Sequence, residues 1–158
     1  EDAIAIADAI ITNVPGLPIG ITIADCVPVA LYDPVQNAIG LAHAGRDGTM
    51  LQIAAATVRA MAHVYGSTPG SLHAYIGPSA GPCCYEVSQE LATAFAQSGG
   101  PTHGRYLDLW EANRRQFLSA GLFDGQIEAS GICTICTARF FSYRREKTTA
   151  RNLMVVSL

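Results

Sequence analysis

The sequence has little charge, and less of it is basic than acidic. Charged residues make up 15% of the chain, with ten Lys and Arg against thirteen Asp and Glu, and the formal net charge is −3. No basic stripe or block of like charge runs along the chain. Nucleic acids and anionic membranes bind proteins through such basic surfaces, so we expect neither as a partner.

Long apolar runs and a disulfide framework are also missing. No stretch approaches the roughly 18 apolar residues that a transmembrane helix needs, and no secretory signal pattern opens the chain. The five cysteines, an odd number at irregular spacing, are not typical of a small secreted protein held by disulfides. We therefore expect a cytoplasmic protein with reduced cysteines.

Apolar residues, in contrast, are abundant. They make up 49% of 158 residues, which is enough for one domain with a sizeable core. Apolar runs between turn residues and helical periodicity predict strands at 19–24, 27–32, 38–43 and 72–76 and helices at 50–65, 88–97 and 108–120. Because strands and helices mix without a regular repeat, we predict an α/β (α+β) fold, a mixed-sheet three-layer sandwich.

Two of the predicted helices begin with a recognisable capping pattern. Thr49 and Gln52 have the spacing of a capping box before the first helix. Asp108 and Glu111 have the same spacing at the start of the third. After it, residues 126–158 predict short strands separated by turns.

Two chemically active residues lie at strand ends. Cys26 precedes the predicted strand 27–32, and His43 ends the predicted strand 38–43. Ends of neighbouring strands lie close together, so a thiol and an imidazole would meet at one edge of the sheet. That pair suits a zinc site or a Cys/His nucleophile, and a buried cysteine beside a core histidine is the alternative. Two ligands do not complete a catalytic zinc site, which needs about three from the protein.

The other four cysteines form a vicinal pair, Cys83 and Cys84, and a C-x-x-C pair, Cys133 and Cys136. A redox role for the second pair requires a thioredoxin-like βαβ context, which the sequence does not offer. A four-cysteine zinc site is an alternative, but the spacing of the vicinal pair is not that of a zinc knuckle. We interpret Cys133 and Cys136 as small apolar packing residues.

Two adjacent arginines, Arg144 and Arg145, follow Phe140 and Phe141 in a chain with only ten basic residues. Arginine forks suit phosphate or carboxylate, and aromatic faces suit a flat ring. An exposed strand with salt-bridged arginines is the alternative. The Gly- and Pro-rich loop 77–85 offers either backbone N–H groups to an anion or a plain connection between a strand and a helix.

Four motifs, taken in order, resemble those of one family. They are Thr-Ile-Ala-Asp-Cys-Val-Pro at 22–28, Ala-His-Ala-Gly at 42–45, Ile-Gly-Pro-Ser-Ala-Gly-Pro-Cys-Cys-Tyr-Glu-Val at 76–87 and Phe-Phe-Ser-Tyr-Arg-Arg at 140–145. The chain resembles the YfiH-like laccase-domain family, whose members have been called polyphenol oxidases and are now regarded as purine nucleoside phosphorylases. The resemblance covers essentially the whole chain.

The resemblance implies an α-β-β-like sandwich with one zinc ion held by a cysteine and two histidines. Cys26 and His43 match two of these ligands and would be the catalytic residues. The remaining histidine belongs to a Gln-Val-His-Gly-like motif upstream and has no counterpart here, so residues 1–158 are expected to be a single domain that lacks its N-terminal part. The apolar surface which that part would cover leaves self-association open. Copper, in place of zinc, is the alternative metal.

The resemblance further implies a zinc-dependent purine nucleoside phosphorylase that acts on adenosine or inosine with phosphate, and it allows adenosine deaminase activity as well. The residues that would bind nucleoside and phosphate are Arg46, Tyr85, Phe141, Arg144 and Arg145. In place of the family's Gly-Trp-Arg-Gly this chain has Gly-Arg-Asp-Gly at 45–48, and in place of Thr-Gly-Arg it has Thr-Ala-Arg at 149–151. These departures alter the region expected to bind phosphate.

Three other functions stay open. Cys26 as nucleophile and His43 as base would make a thiol hydrolase or deamidase, a proposal that rests on fold analogy alone. The resemblance also allows a peptidoglycan-precursor editing factor. Without its third metal ligand the chain could instead be an inactive module. Metal dependence separates the zinc enzyme from the thiol enzyme.

Overall fold

The structure is a computed structural model, and it describes residues 7–158. Its strands are β1 (Ala9–Thr12), β2 (Ile19–Ile23), β3 (Val27–Asp33), β4 (Ala38–Ala44), β5 (His73–Ile76), β6 (Thr102–His103), β7 (Tyr106–Leu107), β8 (Ile127–Ala129) and β9 (Asn152–Val156). Its α-helices are α1 (Arg46–Met50), α2 (Ile53–Tyr65), α3 (Gln89–Gln97), α4 (Leu109–Ser119) and α5 (Tyr143–Glu146).

The central sheet has five strands in the order β1-β4-β3-β5-β8. Its pairs are antiparallel except for β5 with β8, which run parallel, so the sheet is mixed. Alternate residues of β3 and β4 face opposite layers. Val29 and Leu31 belong to the main core, which the helices cover, whereas Ile39 and Leu41 pack towards the β2–β9 ribbon. The predicted mixed-sheet, three-layer α+β arrangement is confirmed.

The predicted helix 50–65 corresponds to α2, which begins at Ile53. Met50 is the last residue of α1, and Leu51 and Gln52 separate the two helices. Gln52 adopts a left-handed backbone with φ of 60°, a conformation that ends regular helix. The predicted capping box of Thr49 and Gln52 is wrong. The Thr49 hydroxyl instead donates to the Ala44 carbonyl at 3.2 Å and accepts from the Asn113 amide at 3.1 Å.

The later helices begin close to their predicted positions. Asp108 caps α4 by accepting the Glu111 N–H at 2.9 Å. In the stretch 126–158, where short strands and turns are predicted, the chain forms the strands β8 and β9 and, between them, the helical turn α5, which is capped by Ser142. No helix within residues 7–158 is both long enough and apolar enough to span a membrane.

Candidate functional site

The register between β3 and β4 brings Cys26 and His43 to the same edge of the sheet. His43 lies opposite Pro28, and Cys26 comes directly before β3. Gly45 lies between the two side chains, because a Cβ built on it would stand 3.1 Å from Cys26 Sγ and 3.5 Å from His43 Cε1. The thiol and the imidazole therefore share one small volume, and the absence of a side chain on Gly45 leaves that volume open.

The neighbourhood of Asp8 orients the imidazole of His43. The His43 Nδ1 lies 3.4 Å from Asp8 Oδ1, and the His43 backbone N–H donates to the Asp8 carbonyl at 2.8 Å. A carboxylate beside one ring nitrogen favours the proton on that nitrogen and leaves Nε2 as the lone-pair donor. A histidine held in this way is suited to bind a metal ion or to accept a proton.

The charges around Cys26 disfavour a free thiolate. Burial raises the pKa of the Cys26 thiol, and the nearby carboxylates of Asp25 and Asp47 raise it further. Arg46 and Arg151 act in the opposite direction but do not cancel the shift. A nucleophilic cysteine normally sits in a positive environment, so this thiol needs an additional cation close by if it is to ionise near neutral pH.

Two adjoining cavities open around these residues. The first, of about 430 Å³, is lined by Asp8, Cys26, His43, Gly45, Arg46, Asp47, Gly48 and Tyr85. The second, of about 160 Å³, is lined by Ala24, Asp25, Cys26, Tyr85, Leu109, Tyr143 and Arg144. Cys26 and Tyr85 line both cavities, so together they form the wall between them.

Two arginines reach this pair of cavities in different states. The Arg144 guanidinium lies 5.1 Å from the centre of the Tyr85 ring and donates to the Glu86 carbonyl at 2.8 Å. Arg46 is engaged by the neighbouring Asp47, to which its Nε and one Nη donate at 2.7 and 3.1 Å. Arg144 therefore keeps more of its donors for a ligand, whereas Arg46 is partly neutralised by its neighbour.

The backbone amide of Arg144 ties this region to a distant segment. The Asp25 carboxylate accepts the Arg144 N–H at 2.7 Å and the Thr134 hydroxyl at 2.7 Å. Asp25 is buried and has a φ of 80°, a conformation that Asp tolerates better than most residues. The residue that precedes Cys26 thus anchors the start of α5 to the edge of the sheet.

The structure brings neither Arg145 nor Phe141 to the cavities. The Arg145 guanidinium donates to the carbonyls of Thr134 and Thr137, each at 2.5 Å, and to that of Phe140 at 2.7 Å, and it pairs with Glu146. These contacts use its donors to hold the loop before α5. Phe141 is 49% exposed and lies outside the lining of both cavities. Their roles in binding stay predictions that this geometry does not support.

No third protein ligand joins Cys26 and His43 within residues 7–158. In this range, the His, Cys, Asp and Glu ligand atoms that come together in a group of three or more lie elsewhere, and neither Cys26 nor His43 belongs to that group. The other histidines, His63 in α2, His73 in β5 and His103 in β6, do not line the two cavities.

A roomier cleft lies at a different place on the surface. Its volume is about 740 Å³, and His73, Tyr75 and Glu128 are among its lining residues. It contains no cysteine, lysine or arginine, so it offers neither a thiol nor a cation to a phosphate. The chemistry favours the smaller cavities around Cys26.

The group that sequence reasoning set aside is a cluster of four cysteines, Cys83, Cys84, Cys133 and Cys136. Their sulfur atoms all lie within 4.8 Å of one another, an arrangement that could hold a metal ion. The vicinal pair does not follow the usual spacing of zinc ligands, which is why the grouping was not favoured. The C-x-x-C pair was the signal that could have identified it.

Three of the four thiols have shifted pKa values, and the shifts differ in direction. Burial and the thiol of Cys136 raise the pKa of Cys83 to about 11, and the pKa of Cys84 is also raised, chiefly by Cys136. Burial acts to raise the pKa of Cys133, but backbone N–H groups of Gly81, Cys136 and Ile135 bring it down to about 7. One member of the cluster is therefore poised to carry a negative charge.

Comparison with known proteins gives a consistent result. The family model described as multi-copper polyphenol oxidoreductase laccase matches residues 1–158. A purine nucleoside phosphorylase of Bacteroides thetaiotaomicron is 40% identical over 149 residues, which cover 87% of this chain and 55% of the relative. The purine nucleoside phosphorylase YlmD of Bacillus subtilis is 35% identical over 162 residues, which cover 96% of this chain and 58% of the relative.

Solved structures agree with this similarity. The hypothetical protein YfiH of Bacillus licheniformis superposes with a TM-score of 0.87 at 39% identity, covering 96% of this chain and 61% of that one. YlmD of Geobacillus stearothermophilus superposes with a TM-score of 0.87 at 36% identity, covering 95% of this chain and 60% of that one. This chain therefore spans less than two thirds of the length of these relatives.

Proposed function

The chain belongs to the multi-copper polyphenol oxidoreductase laccase family, which includes YfiH and YlmD, and from that premise we propose that it acts as a zinc-dependent purine nucleoside phosphorylase on adenosine or inosine. One observation carries the proposal. A thiol, an imidazole, two guanidinium groups and a tyrosine ring line two cavities that share a wall. The relatives named as purine nucleoside phosphorylases support the choice of substrate.

Phosphorolysis of a nucleoside makes few demands on a protein. A phosphate oxygen attacks the anomeric carbon of the ribose, the bond from that carbon to the purine nitrogen breaks, and the purine leaves with the bonding electron pair and takes up a proton. No electron carrier is needed. The site must bind an anion, hold a flat ring and stabilise the charge that develops on the base.

Cys26 and His43 fit zinc by the chemistry of their donor atoms. A thiolate sulfur and an imidazole nitrogen are both zinc ligands, and the open space over Gly45 lies next to both. A catalytic zinc ion usually has three protein ligands, and the resemblance implies that the third is a histidine outside this sequence. When bound, zinc would act as a Lewis acid and lower the pKa of a coordinated water molecule, which would also serve deamination of adenosine.

Arg144 is the best candidate for holding phosphate. Its guanidinium keeps donors beyond the single bond to the Glu86 carbonyl, and planar arginine forks match the oxygens of phosphate. Arg46 approaches from the first cavity but is paired with Asp47. Phosphate would therefore compete with Asp47 for Arg46, whereas Arg144 can engage it at once.

Tyr85 is the residue proposed to contact the purine. Its ring lines both cavities and packs under Arg144. Burial raises the pKa of its phenol, so the side chain stays neutral at physiological pH. A neutral aromatic wall between the cavities suits a flat base on one side and a phosphate held by Arg144 on the other.

A thiol hydrolase or deamidase is the second candidate. Its support is the convergence of Cys26 and His43, since a nucleophile and a base are the minimum for covalent catalysis. The acidic surroundings of Cys26 work against a free thiolate and favour the zinc enzyme. A chelator should abolish activity of the zinc enzyme and leave a thiol enzyme active.

The proposed function is tested by offering adenosine and inosine with and without inorganic phosphate. We expect ribose 1-phosphate and free base to appear only when phosphate is present. In Arg144→Ala, kcat/KM for phosphate should fall about 10- to 100-fold, since hydrogen bonds to charged groups contribute about 1.5–3 kcal/mol. Arg59→Ala, which removes an exposed arginine of α2 outside both cavities, is the matched control. Equal release of base without phosphate would contradict phosphorolysis.

A further inference from the structure

A second cysteine-rich region lies apart from the cavities around Cys26. It consists of Cys83, Cys84, Cys133 and Cys136, whose sulfur atoms are mutual neighbours within 4.8 Å. None of the four lines either cavity of the candidate active site. We propose that this four-cysteine cluster binds one structural zinc ion, separate from any ion at Cys26 and His43.

The distances suit a single tetrahedral ion. With zinc–sulfur bonds of about 2.3 Å, the corners of a tetrahedron lie about 3.8 Å apart. In this structure Cys136 Sγ is 3.1 Å from Cys84 Sγ and 3.5 Å from Cys83 Sγ, and no pair exceeds 4.8 Å. The range of sulfur–sulfur distances in the cluster therefore includes the tetrahedral value. In an iron–sulfur cluster several metal atoms separate the thiolates, so such a cluster needs more space.

Backbone hydrogen bonds hold together the two segments that carry the cysteines. Ser79 joins the two segments, because its N–H donates to the Ile132 carbonyl at 3.1 Å and its carbonyl accepts the Thr134 N–H at 2.9 Å. The Ser79 hydroxyl also accepts the indole N–H of Trp110 at 2.6 Å. A turn after Gly81, closed by the Cys84 N–H on the Gly81 carbonyl at 3.0 Å, presents the vicinal pair. These hydrogen bonds therefore hold the two pairs of cysteines close to each other.

One hydrogen bond in the cluster is of the kind that supports a bound thiolate. The Gly81 N–H donates to Cys133 Sγ at 3.3 Å. Such donors offset part of the negative charge that four thiolates place around a zinc ion. Cys133 is buried, whereas Cys83 and Cys136 are exposed, so the site has both a protected ligand and a path by which the ion can enter.

Zinc explains the grouping better than disulfides do. Cys83 and Cys84 are adjacent, and a bridge between neighbouring residues is strained. Cys136 approaches both of them, but it can form a covalent bond with only one and would leave the other thiol beside it. A tetrahedral ion uses all four sulfur atoms at once. Thiolate sulfur also selects zinc over the hard cations magnesium and calcium.

Zinc at the four-cysteine cluster would fix one wall of the candidate active site. Tyr85 follows Cys84 directly, and its N–H donates to the Gly81 carbonyl at 3.0 Å. In the other segment of the cluster, Thr134 follows Cys133 and donates its hydroxyl hydrogen to the Asp25 carboxylate. An ion bound to both segments would therefore stabilise Tyr85, which lines the two cavities with Cys26, and Thr134, which bonds to Asp25. It would take no part in the reaction.

The test uses cobalt(II) as a spectroscopic probe in the purified protein, stripped of its metal and reloaded under reducing conditions. Charge-transfer absorption from sulfur to cobalt grows with the number of thiolate ligands, so a tetrathiolate site is distinguishable from a site with one thiolate. We expect the tetrathiolate spectrum in the wild type and in Cys26→Ser. It should be lost in Cys136→Ser, together with one equivalent of zinc per chain.

Two further measurements keep the test decisive. Cys83→Ser, a change at an exposed ligand, replaces Cys136→Ser if that variant does not fold. In Cys26→Ser, alkylation before and after chelation should reveal four cysteines that become reactive only when the metal is removed. A wild-type cobalt spectrum typical of one thiolate, or a disulfide within the cluster in protein purified anaerobically with reductant, would overturn the proposal. Phosphorolysis is not the readout, so failure of the proposed function would not affect this result.

Discussion

The two cysteine regions of this protein are assembled in different ways. At the candidate active site, Cys26 and His43 meet because β3 and β4 are adjacent antiparallel strands with a fixed register. In the four-cysteine cluster, the two pairs are separated by about 50 residues and meet through the bridge between Ser79 and Cys133 and the hydrogen bond from the Gly81 N–H to Cys133 Sγ. Local pairing of strands makes the first region predictable from sequence, whereas the second depends on a long-range contact between loops.

The electrostatic surroundings of the two regions differ as well. Burial and the carboxylates of Asp25 and Asp47 raise the pKa of Cys26. Cys133 is also buried, yet backbone N–H donors lower its pKa to about 7. The same side chain is shifted in opposite directions because its neighbours are anions in one case and hydrogen-bond donors in the other. A cysteine near acids needs a cation to ionise, whereas the backbone itself favours ionisation of Cys133.

The largest expected effect comes from exchanging one sulfur for oxygen at Cys26. Cys26→Ser should lower kcat/KM for phosphorolysis by more than about 100-fold, because loss of even an outer-shell partner of a metal ligand reaches about 10- to 100-fold. The free energy of unfolding should change by less than about 1 kcal/mol. Steady-state kinetics and chemical denaturation measure the two quantities.

The same exchange at Cys136 is the matched control for this prediction. Cys136→Ser should act chiefly on stability, because the proposed ion there clamps two loops and touches no substrate. If Cys136→Ser abolished activity as fully as Cys26→Ser while leaving the melting temperature and zinc content unchanged, the distinction between a catalytic and a structural cysteine region would be wrong.

Two glycine substitutions should have effects of intermediate size, and those effects should differ between the two cysteine regions. A Cβ on Gly81 would lie 2.6 Å from the Trp110 ring and 3.2 Å from the Cys133 Cβ. Gly81→Ala should therefore destabilise the fold by about 1–3 kcal/mol, the usual range for overpacking. A Cβ on Gly45 makes a milder contact, 3.1 Å from Cys26 Sγ. It would fill the space between the thiol and the imidazole, so Gly45→Ala should reduce activity more than stability.

Thermal denaturation and phosphorolysis rates of both variants check this pair. Equal loss of stability in Gly45→Ala and Gly81→Ala would indicate that the space over Gly45 is ordinary packing and not a binding volume. Gly66→Ala is unsuitable as a control, because Gly66 has a φ of 73° and any side chain there is strained. Gly125, which has open space around it and no such φ, is a better reference position.

The smallest expected effect concerns the acid that follows Arg46. Hydrogen bonds from Arg46 hold the pKa of Asp47 below its usual range, so its carboxylate remains ionised at neutral pH and competes with phosphate. Asp47→Asn should lower the KM for phosphate about 2- to 5-fold, since exposed ion pairs contribute about 0.2–1 kcal/mol. Titration of phosphate at saturating nucleoside measures it. A higher KM in the variant would mean that Asp47 positions Arg46 for the ligand.

Elements that depend on local sequence were the ones that could be predicted. Alternating and continuous apolar runs located β3 and β4, and the capping side chain of Asp108 located α4. The capping box predicted at Thr49 is wrong, because the Thr49 hydroxyl accepts from Asn113, 64 positions away. Tertiary contacts of this kind override local preference and leave no periodic signal in the sequence.

The residues of the candidate site likewise include some that the sequence could identify and some that it could not. Motifs identified Cys26, His43, Arg46, Tyr85 and Arg144 as a set, and the structure brings these five side chains to the two adjoining cavities. Arg145 was grouped with Arg144 because the two are adjacent, but residues on one helical turn point in different directions. Arg145 turns to the carbonyl groups of its own loop, and sequence alone cannot distinguish a ligand-binding arginine from one that holds a loop.

The chain contains a single tryptophan, and its position provides an optical consequence of the packing around Ser79. Trp110 donates its indole N–H to Ser79, and its ring lies beside Gly81, which bonds to Cys133. Tryptophan fluorescence therefore comes from a single indole next to the four-cysteine cluster. Its emission should shift as the sulfur atoms change from free thiols to metal ligands, so a titration can be followed in real time without an attached dye.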